Sequence, residues 1–270
     1  MQARSRLSQI VFGGGATLNA RPRKRAGRRS MVELLRTEGL TKRFRGLTAN
    51  SNIDFRIEVG AVRCVIGPNG AGKTTFLSML SGHQAPTTGR VSYDGRDITG
   101  LSVVERARIG IGRKFQTPTV FDNLTVCENI ELSILRIESD NVARGRKLDA
   151  VLDAVRLNDQ RSTLARELSH GQRQWLEIGL LLGNESRLLL LDEPTAGMTN
   201  EETAATGRLI RKLADEHGLT IIIIEHDIHF IRDLRSPVTV LHLGKILMEG
   251  SFDEVASNPT VRSVYLGTDT

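Results

Sequence analysis

The octapeptide Gly67-Pro68-Asn69-Gly70-Ala71-Gly72-Lys73-Thr74 constrains this chain more than any other feature. It fits the pattern G-x-x-x-x-G-K-[ST] in full, follows the apolar run Val62–Ile66 and opens the apolar segment Thr74–Leu80. A strand that turns through glycines into a helix leaves backbone N–H groups free to close around phosphates, reinforced by the positive end of the helix. In that setting Lys73 reaches the β- and γ-phosphates of a nucleoside triphosphate, and the Thr74 hydroxyl is offered to magnesium. The predicted nucleotide set runs from Gly67 through Thr75.

A second apolar run, Leu188–Leu191, ends in Asp192-Glu193. Ligands of parallel α/β sheets collect at the carboxyl ends of strands. Asp192 is therefore expected to support magnesium, and Glu193 to polarise an attacking water as general base or orienting acceptor. The run Ile221–Ile224 is followed by Glu225-His226-Asp227. Taken alone, His226 is more simply a structural histidine than a γ-phosphate contact.

The remaining pattern predicts an α/β fold. Leu34–Glu38, Ile53–Val59 and Val62–Ile66 read as strands, and Asp94-Gly95 reads as the turn of a short hairpin. The stretch from Val103 to Leu182 reads as helical, with Val126–Leu135 and Lys147–Leu157 separated by the polar segment Glu138–Arg146. Strand and helix then alternate through Asn200–Glu216, Ile221–Ile224 and Val238–Leu243. Four consecutive isoleucines suit a strand buried on both faces. Cys64 and Cys127 match no metal-ligand spacing, and Cys64 lies in a buried-strand pattern.

Charge separates the chain into two parts. The net charge is +6, yet residues 1–30 carry eight Lys/Arg and no acid, which leaves 29 basic against 31 acidic residues in the rest. Residues 1–33 are expected to be a disordered basic extension, and Met31 is a possible alternative start. No run approaches the ~18–20 apolar residues of a membrane span. The patch Ile10-Val11-Phe12 is too short for a signal peptide, so export is not expected.

Leu168-Ser169-His170-Gly171-Gln172 reads locally as a capping box, with Ser169 capping a helix and Gln172 reaching back. It also resembles the LSGGQ signature of the ATP-binding cassette family. The resemblance runs from about Leu34 to Gly267 and includes the P-loop, Gln116, the signature, the strand ending in Asp192-Glu193, and His226, in the family's order. It implies a P-loop ATPase core with an antiparallel β subdomain and a helical subdomain at about 117–182, in a single domain spanning 34–267. It implies ATP and Mg2+ as cofactors, Lys73, Glu193 and His226 in catalysis, and Thr74, Gln116 and Asp192 at the metal. Phe44 matches the aromatic that stacks on adenine, although a Lys-Arg-Phe run is equally compatible with core. Ser169, Gly171 and Gln172 are implied to face the γ-phosphate held by a second cassette.

Two residues depart from the usual pattern. His170 stands at the first glycine of the signature, and Thr199 stands where Asp is common, in Ala196-Gly197-Met198-Thr199. The stretches 112–121, 168–179 and 192–199 are similar to the urea importers among the branched-chain amino-acid-type bacterial systems, in which these departures are subgroup features. The resemblance thus implies the ATPase subunit of a urea importer, or alternatively of a branched-chain amino-acid importer. It would lie on the cytoplasmic face of the cell membrane with a second, different cassette, two permease subunits and, indirectly, a solute-binding protein. A role on ribosomes or nucleic acid is disfavoured, because the chain holds one cassette and no coiled-coil heptads.

Overall fold

The computed structural model describes residues 32–114 and 120–266. The basic extension expected at residues 1–33 lies almost wholly outside them. Two sheets share the structure. The first is antiparallel, in the order β2-β1-β4-β5, built from β1 (Glu33–Phe44), β2 (Leu47–Glu58), β4 (Thr88–Tyr93) and β5 (Arg96–Asp97). The second has the order β10-β9-β3-β8-β7-β6, with β3 (Val62–Ile66), β6 (Ile111–Lys114), β7 (Leu188–Asp192), β8 (Thr220–Ile224), β9 (Val238–His242) and β10 (Lys245–Gly250). Its strands are parallel except β10, which pairs antiparallel with β9 at the edge.

The apolar runs divide between two cores by simple alternation. Leu189, Leu191, Ile221 and Ile223 face one core, while Leu188, Leu190, Ile222 and Ile224 face the other. The first core is shared with α3 (Val126–Leu135), α4 (Asn141–Ala154), α5 (His170–Gly183) and α6 (Asn200–His217). The second is shared with α1 (Lys73–Ser81) and the antiparallel sheet, where Phe55 and Phe76 meet edge to face at 5.3 Å. Cys64 is buried in the first core, and burial pushes its thiol up to about 12, so it is inert packing.

The sequence reading needs correction at three places. β6 falls inside the stretch read as helical. Its sequence Ile-Gly-Arg-Lys carries one large apolar side chain, and pairing with the leucines of β7 makes it a strand. α4 begins within the polar segment read as a separator, because Asp140 caps it by accepting from the Ala143 N–H at 2.7 Å. β1 and β2 are longer than the runs read as strands, because their antiparallel pairing continues through Lys42 with Asn50 and Arg43 with Thr48 to Phe44 with Leu47.

Ser102 caps α2 (Val103–Arg108), and similar Ser/Thr-x-x-Glu boxes open α3, α6 and α8 (Phe252–Ser257). The remaining helices are α7 (Ile228–Leu234), capped by Asp227, and α9 (Pro259–Leu266). Among the described residues no helix is long and apolar enough to cross a membrane.

Candidate nucleotide site

Because β3, β7 and β8 are parallel neighbours, their carboxyl ends deliver Gly67, Glu193 and Glu225-His226 to one edge of the sheet. The P-loop that leaves β3 is shaped by what it touches. A Cβ on Gly67 would meet Leu241 O at 2.2 Å, and one on Gly72 would meet Ala49 O at 2.4 Å. The loop is therefore wedged between β9 and β2, and Ala71 O accepts from the Gly244 N–H at 3.1 Å. Gly70 has a positive φ of 80° and nothing against its open side. Among the described residues no side chain caps the first turn of α1 and no acid lies in it, so its N–H groups face outward for an anion.

Lys73 lies back along this loop, donating to Gly67 O at 2.6 Å and Pro68 O at 3.0 Å. Burial pulls its ammonium below the ordinary lysine range, while nearby Glu193 and Asp192 oppose that shift. Thr74 is exposed on the first turn and Thr75 is half-buried behind it; Pro68 is half-buried, and Asn69 is exposed with Gly70.

Asp192 is buried. Its Oδ2 accepts from Arg113 at 3.2 Å, and its Oδ1 has no hydrogen-bond partner among the described residues. Arg113 also donates to Ser78 at 2.9 Å and Ser81 at 3.2 Å, so β6 ties the aspartate to the P-loop helix. Glu193 stands at φ 49°, an uncommon conformation for a residue with a side chain, and its N–H is fixed on Ile224 O at 2.9 Å. Its Oε1 lies 3.7 Å from His226 Nδ1. His226 is otherwise exposed, and its own N–H donates to Glu225 Oε2 at 3.1 Å.

Phe44 is exposed at the end of β1, not in the core, with Lys42 over its ring at 5.1 Å. Gln116 lies outside the described residues. Ser169, Gly171 and Gln172 form the start of α5. The capping box is present, with the Ser169 N–H on Gln172 Oε1 at 3.0 Å. Among the described residues none of the hydrogen bonds of these three goes to the P-loop of the same chain; those of Ser169 and Gly171 extend to Glu202.

Sequence reasoning missed four groups at this site. Arg113 and Glu225 act across strands, which no local spacing reveals. Lys114, next to Arg113 but on the other face of β6, forms a buried ion pair with Glu177 of α5 at 3.4 Å. Tyr265 of α9, partly exposed, lies beside the Gly67 backbone, and partial burial there pushes its phenol up to about 12.

Fold and site together define an ATP-binding cassette ATPase: a P-loop, a carboxylate pair at the end of β7, and a capped signature helix on a separate helical layer. A sequence profile of the ABC transporter family matches residues 50–196, and one of branched-chain amino acid ATP-binding cassette transporters matches residues 245–270. The chain is 34% identical over 249 residues to the high-affinity branched-chain amino acid transport ATP-binding protein BraF of Pseudomonas aeruginosa, covering 87% of this chain and 98% of that one. It is 35% identical to the lipopolysaccharide export system ATP-binding protein LptB of Acidithiobacillus ferridurans, covering 88% and 98%. The ADP conformation of MJ1267, an ATP-binding cassette of an ABC transporter, superposes with a TM-score of 0.79 at 28% identity, over 87% of this chain and 99% of that one. The chain belongs to the ABC transporter family, as an ATP-binding component that hydrolyses ATP.

Proposed function

We propose that this chain powers a bacterial importer for urea, binding ATP between two cassettes that close head-to-tail and reopen on hydrolysis. Similarity alone does not decide the solute, since an amino-acid and a lipopolysaccharide protein are about equally similar. The observation that supports the urea reading is that each departure from the common pattern makes a hydrogen bond of its own on the turn after β7. His170 Nε2–H donates to Ala196 O at 2.8 Å, and Thr199 caps the helix that follows. Both departures thus have hydrogen-bonding work in this fold, which supports subgroup features over drift. Branched-chain amino-acid import is the second reading, favoured by the C-terminal profile match and by the name of BraF.

In the mechanism, the P-loop N–H groups and Lys73 hold the phosphates and Phe44 stacks on the adenine. Glu193 accepts the proton of the attacking water, with His226 beside it at the γ-phosphate. The unpartnered Asp192 Oδ1 and the exposed Thr74 hydroxyl fit a hard cation, which prefers oxygen ligands. With Gln116 they would hold Mg2+, which when bound neutralises phosphate charge. Ser169, Gly171 and Gln172 serve the nucleotide of the partner cassette, a different chain in the cell. A relative, MJ0796, has a dimeric structure bound to ADP and Pi, at 26% identity and a TM-score of 0.71 over 81% of this chain and 99% of that one. Two permease subunits and a solute-binding protein complete the assembly at the cytoplasmic face of the membrane, with the cassette held there peripherally.

Uptake of labelled urea and labelled leucine by cells lacking this subunit tests the solute. Loss of urea uptake alone is expected. Loss of leucine uptake alone would replace urea by branched-chain amino acids and leave the ATPase assignment intact.

A further inference from the structure

The Glu202 carboxylate serves two helices. Its Oε2 caps its own helix, α6, accepting from the Thr199 N–H at 3.1 Å and the Thr199 hydroxyl at 3.2 Å. Its Oε1 crosses to the start of α5, where it accepts from the Ser169 hydroxyl at 2.9 Å and the Gly171 N–H at 3.2 Å. A Cβ on residue 171 would sit 2.9 Å from that same oxygen and 3.1 Å from Glu202 Cγ. A side chain at 171 would therefore push the Glu202 carboxylate aside. Two further contacts hold the helices in this register: His170 on Ala196 O at 2.8 Å, and Trp175 Nε1–H on the Thr206 hydroxyl at 2.9 Å.

A helix start with a free serine hydroxyl and a free N–H is an anion receptor. Here the anion is already present and belongs to the same chain. One hydroxyl and one N–H cannot serve a carboxylate and an arriving phosphate together, and two anions at hydrogen-bond distance repel. We propose that Glu202 is an internal occupant of the signature's phosphate-receiving donors, holding Ser169 and Gly171 in the open cassette and yielding them to the γ-phosphate carried by a second cassette.

The inference rests on the head-to-tail reading given above. It makes Glu202 a positioning residue that acts through Ser169 and Gly171. It also sets a threshold, because ATP must displace a bound carboxylate before closure. The displaced group lies on the segment that begins at Glu193, so arrival of phosphate at the signature is felt by the carboxylate turn of the same cassette.

The test titrates ATP against the full-length chain carrying Glu193→Gln, mixed with its partner cassette, following association by light scattering, with and without Glu202→Gln. An amide has one acceptor oxygen and cannot serve both donor sets, whereas capping boxes accept glutamine, as Gln172 shows in α5. The expected result is a half-saturating ATP concentration about five- to tenfold lower, the scale of one ordinary net hydrogen bond, with little change in the nucleotide-free melting temperature. Glu202→Asp keeps the charge but shortens the reach to α5, and it is expected to shift the titration in the same direction. It carries the test if the glutamine variant does not fold. An unchanged or higher ATP requirement with a lowered melting temperature would reduce Glu202 to a structural cap and overturn the proposal. Absence of ATP-driven association in the Glu193→Gln parent itself would overturn the head-to-tail reading, and the proposal with it.

Discussion

Glu225 holds Thr195 twice, accepting its backbone N–H at 3.0 Å and its hydroxyl at 2.5 Å, while the other carboxylate oxygen accepts the His226 N–H. Glu225 is buried, and this clip fastens the turn after β7, which carries Glu193, to the turn after β8, which carries His226. The 3.7 Å spacing of Glu193 and His226 is thus set by a residue between the two strands' ends.

Replacing Glu225 by Gln leaves one of these N–H groups without an acceptor. A buried donor left unsatisfied costs about 1–3 kcal/mol. Denaturant unfolding of Glu225→Gln should show that loss, and steady-state kinetics should show a lower kcat with a nearly unchanged KM for ATP. A fall in ATP affinity with kcat preserved would place Glu225 in binding instead.

Lys114 and Glu177 make the buried link between β6 and the signature helix, with both side chains nearly inaccessible. Lys114→Met takes the cation from this pair, and removing one partner of a buried pair costs about 3–5 kcal/mol. Adding Glu177→Leu should recover most of that loss. Equal destabilisation by the single and double variants, measured by urea unfolding, would show that the pair contributes nothing through its charges.

Much of this was legible because the chemistry lies in contiguous segments. The P-loop, the Leu188–Glu193 run and the Ile221–Ile224 run each carry their own strand signal and their own functional end. The hairpin at Asp94-Gly95 was equally legible, since both residues adopt positive φ, at 51° and 73°. β6 was not, because Ile111–Lys114 becomes a strand only beside β7. Arg113, Glu225 and Glu202 escaped for the same physical reason. Each acts on a residue 79, 30 or 33 positions away, and no local periodicity records such a pairing. Thr199, noticed as a departure, proved to be the N-cap of α6.

The capping boxes predict a pH dependence of stability. Hydrogen bonds from the N-cap residue hold the carboxyls of Glu105, Glu128, Glu202 and Glu254 below the ordinary glutamate range. A depressed folded pKa stabilises fully above the unfolded value of about 4.3 and loses that contribution as pH falls through the folded value. The melting temperature should therefore fall as pH drops below about 4.5. Changing all four residues to Gln should flatten that decline, and an unchanged slope would contradict the assignment.

The central claim is that Glu193, at the end of β7 and beside His226, takes the proton of the attacking water. Single-turnover hydrolysis by Glu193→Gln, measured together with ATP binding, tests it most directly. The account predicts ATP binding within a few-fold of the parent and hydrolysis slowed by about 10²–10⁴-fold, the scale of a lost general base. Hydrolysis at a near-parental rate with ATP bound would contradict it and move the catalytic role to another group.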